Sequence, residues 1–197
     1  MTVVYLARHG QSDWNAEARW QGHADRPLTD LGRRQARELA ERLADVELAA
    51  VYSSDLERAR ATAAAVARPR GLSVVTLPEL REIDVGSWSG LTREEAEARF
   101  PDAFRRWADG AHGWDDGETY EQMTARVVGA VLGLGAAHPD ASVLVVAHGG
   151  PIRALHATAL GIDLPSHRKL RPVEPNARLS RLAVSDGLLQ VLDHPPD

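Results

Sequence analysis

The chain has 197 residues, 44% of them hydrophobic and 26% charged, proportions that suit one globular domain spanning 1–197. Its formal charge of −5, with no basic face evident, argues against nucleic acid as a partner, and the lack of cysteine excludes disulfides, thiol catalysis and cysteine metal sites. No apolar run reaches the ~20 residues of a membrane span and no basic leader precedes the first strand, so a cytoplasmic protein away from membranes is expected.

Residues 3–7 (Val-Val-Tyr-Leu-Ala) read as a strand buried on both faces, ending abruptly in Arg8, His9 and Gly10. Groups delivered at a strand's carboxyl end lie where open α/β sheets bind ligands. Arg8 offers a planar fork for phosphate oxygens, and His9 is a nitrogen nucleophile if held neutral. Residues 13–27 are polar and turn-rich, a working loop holding Trp14, Asn15, Trp20, Gln21 and Gly22. A helix starts near Thr29-Asp30, with Ala36, Leu39, Ala40 and Leu43 as its buried stripe.

Residues 49–53 form a second strand, and Ser54-Asp55-Leu56-Glu57 reads as a capping box for the next helix. Arg58 then falls in a first helical turn at the same edge as His9; taken alone it reads more readily as a solvated helix arginine. A third strand covers 72–77. Glu82 follows it, either a surface carboxylate or a proton donor. Residues 92–117 alternate short helical pieces with turns and carry Trp107, Trp114, Arg93, Arg105, Arg106 and His112. They read as part of an insertion over the site, about 83–118, whose aromatics serve as a small core or as substrate contacts.

Thr119-Tyr120-Glu121-Gln122 is a second capping box, opening a helix through about 137 that buries Met123, Val127, Ala130, Val131 and Leu134. Residues 142–147 form the clearest strand, ending in His148-Gly149-Gly150 with Pro151 as the first helical residue. Free amides at that helix start make an anion site beside His148. Residues 179–184 and 188–192 around Asp186-Gly187 read as a closing hairpin. His156, His167 and His194 show no ligand spacing and read as structural or exposed.

Five segments together resemble the histidine phosphatase superfamily, which includes the cofactor-dependent phosphoglycerate mutases. They are Arg8-His9-Gly10-Gln11-Ser12 with Trp14-Asn15; Gln21-Gly22 through Gln35-Ala36; Ser53-Ser54-Asp55-Leu56 through Thr62; Leu80-Arg81-Glu82 to Gly90; and Val146-Ala147-His148-Gly149-Gly150. Ser89 and Arg178 depart from the pattern, at positions where an acidic and a small residue are common.

The resemblance implies a three-layer α/β/α sandwich with a mainly parallel sheet and a helical insertion over its carboxyl edge. It implies His9 as nucleophile forming a phosphohistidine, Glu82 as proton donor, and Arg8, Arg58, His148 and Asn15 as holders of the phosphoryl oxygens. Gln21, Gly22 and Gly149 are implied as further phosphate or substrate contacts. No metal and no cofactor is expected, and the partner is a small phosphomonoester: a phosphosugar, a phosphoglycerate derivative or a nucleotide. Residues 83–91 contain no Lys or Arg, which favours a phosphatase over a mutase. A non-catalytic binding protein would have lost one of the five site residues. A homodimer is left open.

Overall fold

A computed structural model of the chain describes residues 1–193. The first half runs β1 (Thr2–Arg8), α1 (Asp13–Ala16), α2 (Asp30–Arg42), β2 (Ala50–Ser53), α3 (Glu57–Ala67) and β3 (Val74–Thr76). The rest comprises α4 (Arg93–Arg99), α5 (Pro101–Ala108), α6 (Tyr120–Ala137), β4 (Ser142–Ala147), α7 (Gly149–Ala159), α8 (Leu164–Leu170), β5 (Leu179–Ser185) and β6 (Leu188–Asp193). None of the described helices is long and apolar enough to cross a membrane.

The strands form one sheet in the order β3-β2-β4-β1-β5-β6. β1, β2, β3 and β4 pair in parallel, and β5 and β6 close one side antiparallel. Apolar runs in β1 and β4 follow from covering on both faces. α2 and α3 bury Leu39, Leu43, Ala59, Ala63 and Val66 against Ala7, Val51, Leu144 and Val146. On the other face, Met123, Val127 and Val131 of α6 and Ile152 and Leu155 of α7 pack on Val4, Leu6 and Val145. The expected α/β/α sandwich is therefore the observed one, each buried aliphatic contributing about 1.5–3 kcal/mol.

The second core extends through Trp88 and Phe104 into α4 and α5, so the helical insertion packs on the sheet's covering layer. At the hairpin tip Asp186 and Gly187 both have positive φ, 52° and 72°, the geometry a two-residue Asp-Gly connection requires.

Several boundaries move from their sequence reading. The third strand shortens to Val74–Thr76, at the sheet edge, where only one side offers hydrogen-bond partners. α7 begins at Gly149, so Pro151 is its third residue, still within the turn that needs no acceptor for an N–H. The Thr119 box is present, with Gln122 as its reciprocal partner. The Ser54–Glu57 box is not: the cap of α3 is Leu56, Ser54 Oγ accepts from the Leu56 N–H at 3.2 Å, and the Glu57 N–H donates to Asp25 Oδ1 at 2.6 Å. A carboxylate from the working loop thus replaces the local cap and ties that loop to the helix carrying Arg58. α1 and α8 are short; Ser12 and Asn15 cap α1 reciprocally, and Asp163 caps α8.

Candidate active site

Strand register assembles the site. Arg8 pairs with Ala147 across β1 and β4, so the next residue of each strand, His9 and His148, leaves the same edge side by side. Their ring centroids are 5.0 Å apart, and the His9 N–H donates to the Ala147 carbonyl at 3.0 Å. Gly10 follows where a Cβ would sit 2.4 Å from the Gly32 carbonyl oxygen; only glycine fits this close crossing of the turn and α2.

His9 is buried, and its Nδ1 lies 2.7 Å from the Gly10 carbonyl oxygen. A carbonyl accepts only, so Nδ1 carries the proton and donates, and the Nε2 lone pair is left free. Burial first, then the charges of Arg8 and Arg58, hold the His9 pKa well below 6.5. Burial likewise, followed by Arg58, lowers the pKa of His148, whose two ring nitrogens have no hydrogen-bond partner among the described residues. Both rings are neutral at physiological pH.

The guanidiniums are held by main-chain oxygens. Arg8 donates to the Glu174 carbonyl at 2.6 Å; Arg58, fully buried, donates to the Ala24 and Gly22 carbonyls at 2.7 and 2.9 Å. The solvated-helix reading of Arg58 is thereby excluded. Burial pushes its pKa down to about 10, which leaves it charged at neutral pH. Arg8 Nε and Arg58 Nε are buried without partners among the described residues. Unpaired buried donors around one histidine mark the place of an anion that would satisfy them.

Glu82 reaches the same place from the segment after β3. The Gly150 N–H, in the first turn of α7, donates to its Oε1 at 3.1 Å and to its Oε2 at 3.3 Å. The backbone carrying Glu82 is clamped by Arg126, which donates to the carbonyls of Glu79, Arg81 and Glu82 at 2.6, 2.8 and 2.9 Å while pairing with Glu118. Sequence reading missed Arg126, which lies 44 residues from Glu82 and has no local mark.

These groups border a cavity of about 650 Å³, whose wall includes Arg8, His9, Asn15, Gln21, Gly22, Arg58 and Glu82. Asn15 Oδ1 accepts from the Ser12 N–H at 3.1 Å and from Asn176 Nδ2 at 3.2 Å, which commits the oxygen to the protein and leaves the NH₂ for the cavity. Gln21 Oε1 accepts from Ser12 Oγ at 2.8 Å. His148 packs against His9 behind this wall, and Gly149 is turned toward Val173; Gly150 supplies the wall residue instead. Glu82 is the single carboxylate among the described residues on the wall, so Glu79 and Asp84 stand outside it.

Trp20, Trp107 and Trp114 also border the cavity, and the insertion's aromatics are therefore both core and wall. Of the arginines singled out in 92–117, Arg93 lies on the wall, whereas Arg105 and Arg106 pair with Asp102 and Asp115 at the surface. Tyr120, Arg153 and Arg168 join the wall, though no motif singled them out. The departure at Ser89 is accommodated by donation of its Oγ to the Gln21 carbonyl at 3.2 Å. His156 and His167 are buried away from the wall, 6.3 Å apart, and His194 lies outside the described residues. No group of three or more His, Cys, Asp or Glu among the described residues is placed to hold a metal ion.

The model of the histidine phosphatase superfamily (branch 1) matches residues 4–194. Phosphoserine phosphatase 1 of Hydrogenobacter thermophilus is 37% identical over 166 residues, covering 83% of this chain and 79% of its own. A glucosyl-3-phosphoglycerate phosphatase of Mycolicibacterium vanbaalenii is 41% identical over 172 residues, 82% of this chain and 75% of that one. Proteins named as probable phosphoglycerate mutases match as well. Among solved structures, Bacillus stearothermophilus YhfR superposes with a TM-score of 0.93 at 33% identity, covering 100% of this chain and 98% of its own.

Proposed function

The chain belongs to the histidine phosphatase superfamily, and from that premise we propose that it hydrolyses a small phosphomonoester through a phosphohistidine at His9. The observation that supports this most directly is the His9 tautomer. With Nδ1–H bonded to the Gly10 carbonyl, the free Nε2 is positioned on a wall shared with Arg8, Arg58 and Glu82. Nε2 attacks phosphorus as the bond to the leaving oxygen breaks, and Arg8 and Arg58 balance charge on the equatorial oxygens. The Asn15 NH₂ completes that cradle, and His148 backs His9 from behind the wall. Glu82 gives its proton to the leaving oxygen; its carboxylate then takes one from the water that cleaves the P–N bond. Arginines carry the charge balance that a divalent cation supplies elsewhere, so the reaction we assign needs no metal.

The test is a panel of phosphorylated metabolites with released phosphate as readout, 3-phosphoglycerate isomerisation assayed beside it, and EDTA-dialysed protein as a further arm. Quenching with ³²P-labelled substrate should leave label on the peptide containing His9, stable to base and labile to acid. Full turnover by His9→Ala would refute the assignment, and isomerisation outpacing phosphate release would move the chain to the mutases.

A further inference from the structure

Resting on the phosphatase reading above, we propose that Arg153 is a specificity residue that binds a carboxylate carried by the alcohol portion of the substrate. Six arginines border the cavity against one carboxylate, Glu82. Five of the six are engaged elsewhere. Arg8 and Arg58 flank His9. Arg19 pairs with Glu17 and Glu95 at 2.8 and 2.9 Å. Arg168 donates to the carbonyls of Gly110 and Trp107 and to the Tyr120 hydroxyl. Arg93 lies over the Trp107 ring, 5.0 Å from its centroid.

Arg153 differs. Among the described residues its only hydrogen bond is a long one, 3.3 Å to the Arg171 carbonyl, and its buried Nε has no partner there. No carboxylate of the described residues pairs with it. The charges that act on it are those of Arg168 and Arg8, which repel, and Glu82, which attracts, while burial itself disfavours the charged form. A half-buried cation in this setting is costly unless an anion completes it.

Placement says which part of a substrate that anion belongs to. Arg153 follows Gly150 by three residues on α7, so its Cα stands about 4.5 Å further along the axis from the amide that holds Glu82. Glu82 marks the position of the leaving oxygen, and a short carbon chain from that oxygen spans the interval to Arg153. The phosphoryl end, a dianion, meets two guanidiniums; the far end meets one, which matches a singly charged carboxylate in a bidentate pair. Tyr120 accepts from Arg168 at 2.7 Å, which leaves its own hydroxyl proton for the second carboxylate oxygen.

The test uses two substrates that differ only at that group, 3-phosphoglycerate and glycerol 1-phosphate, with p-nitrophenyl phosphate as a third. The native protein should favour 3-phosphoglycerate over glycerol 1-phosphate in kcat/KM by about tenfold or more. Arg153→Met should collapse that ratio by about ten- to hundredfold, the range expected for a lost charged hydrogen-bond pair. A ratio does not depend on the fraction of protein folded. Arg153→Lys, which keeps the charge and loses the fork, should give an intermediate ratio. A native ratio near one overturns the proposal, as does a ratio unchanged in Arg153→Met or one that falls in Arg93→Met instead. If p-nitrophenyl phosphate and both metabolites are untouched by the native protein, the phosphatase reading fails; hydrolysis of p-nitrophenyl phosphate without preference for the carboxylate defeats the Arg153 proposal alone.

Discussion

Gly150 and Glu82 are joined so that the amide of one meets both carboxylate oxygens of the other, at 3.1 and 3.3 Å. The amide belongs to the first turn of α7, the helix that His148 caps, so one helix start both carries His148 and holds the Glu82 carboxylate. An N–H in the first turn of a helix has no acceptor within the helix, so it is available to hold this carboxylate.

Gly150→Ala should disable the site without unfolding it. An added Cβ would stand 2.3 Å from Glu82 Oε1 and 3.1 Å from Met123 Sδ, so the carboxylate must move. A displacement of about 1 Å is enough to cost on the order of 10²-fold in kcat/KM. Steady-state kinetics on an alkyl phosphate measure it, and native kinetics in the variant would mean that Glu82 needs no fixed position.

Glu82→Gln keeps the shape and still accepts from Gly150, yet cannot deliver a proton. Alkyl phosphates, whose alkoxides leave poorly, should lose about 10²–10⁴-fold. The burst of nitrophenol from p-nitrophenyl phosphate should fall far less, because nitrophenolate leaves unaided. Burst amplitude and rate against single turnover on an alkyl ester separate the two, and equal losses would make Glu82 a positioning group.

Arg58→Ala should weaken inhibition by inorganic phosphate by about tenfold or more, since ground state and transition state both use its fork. It also strips the Gly22 and Ala24 carbonyls of their donor, at about 1–3 kcal/mol for each group left unpaired. Phosphate Ki and a melting curve report the two effects. An unchanged Ki would remove Arg58 from the phosphate cradle.

Acid should destabilise this fold through its buried histidines. His9 and His148 have folded pKa values well below 6.5, with burial as the main cause. Unfolded, each binds a proton as pH falls through about 6.5; folded, each stays neutral, so stability is lost below that pH and unaffected above it. Each contributes a slope of up to about 1.4 kcal/mol per pH unit. Denaturant titrations of the native protein and His148→Gln between pH 7 and 5 should therefore diverge, the variant losing less. Parallel slopes would contradict the neutral burial of His148.

Part of this architecture is legible in the sequence by itself because its cause lies within a few residues. The apolar runs of β1 and β4 specify strands covered on both faces, Thr119 and Gln122 satisfy each other's amides within one turn, and Asp186-Gly187 supplies the two positive φ angles of its hairpin. The motifs around His9, Arg58, Glu82 and His148 place those residues at one sheet edge. Only the tertiary structure decides what they meet there. Register alone sets His9 against His148, and the cap of α3 comes from Asp25, 32 residues away, rather than from Ser54. Arg105 and Arg106, prominent in sequence, are neutralised by nearby acids, while Arg153, unmarked in sequence, faces the cavity with its buried Nε unpaired. A local pattern fixes hydrogen bonds made within a turn; the compensation of a charge depends on every element packed around it, and no short stretch of sequence contains those.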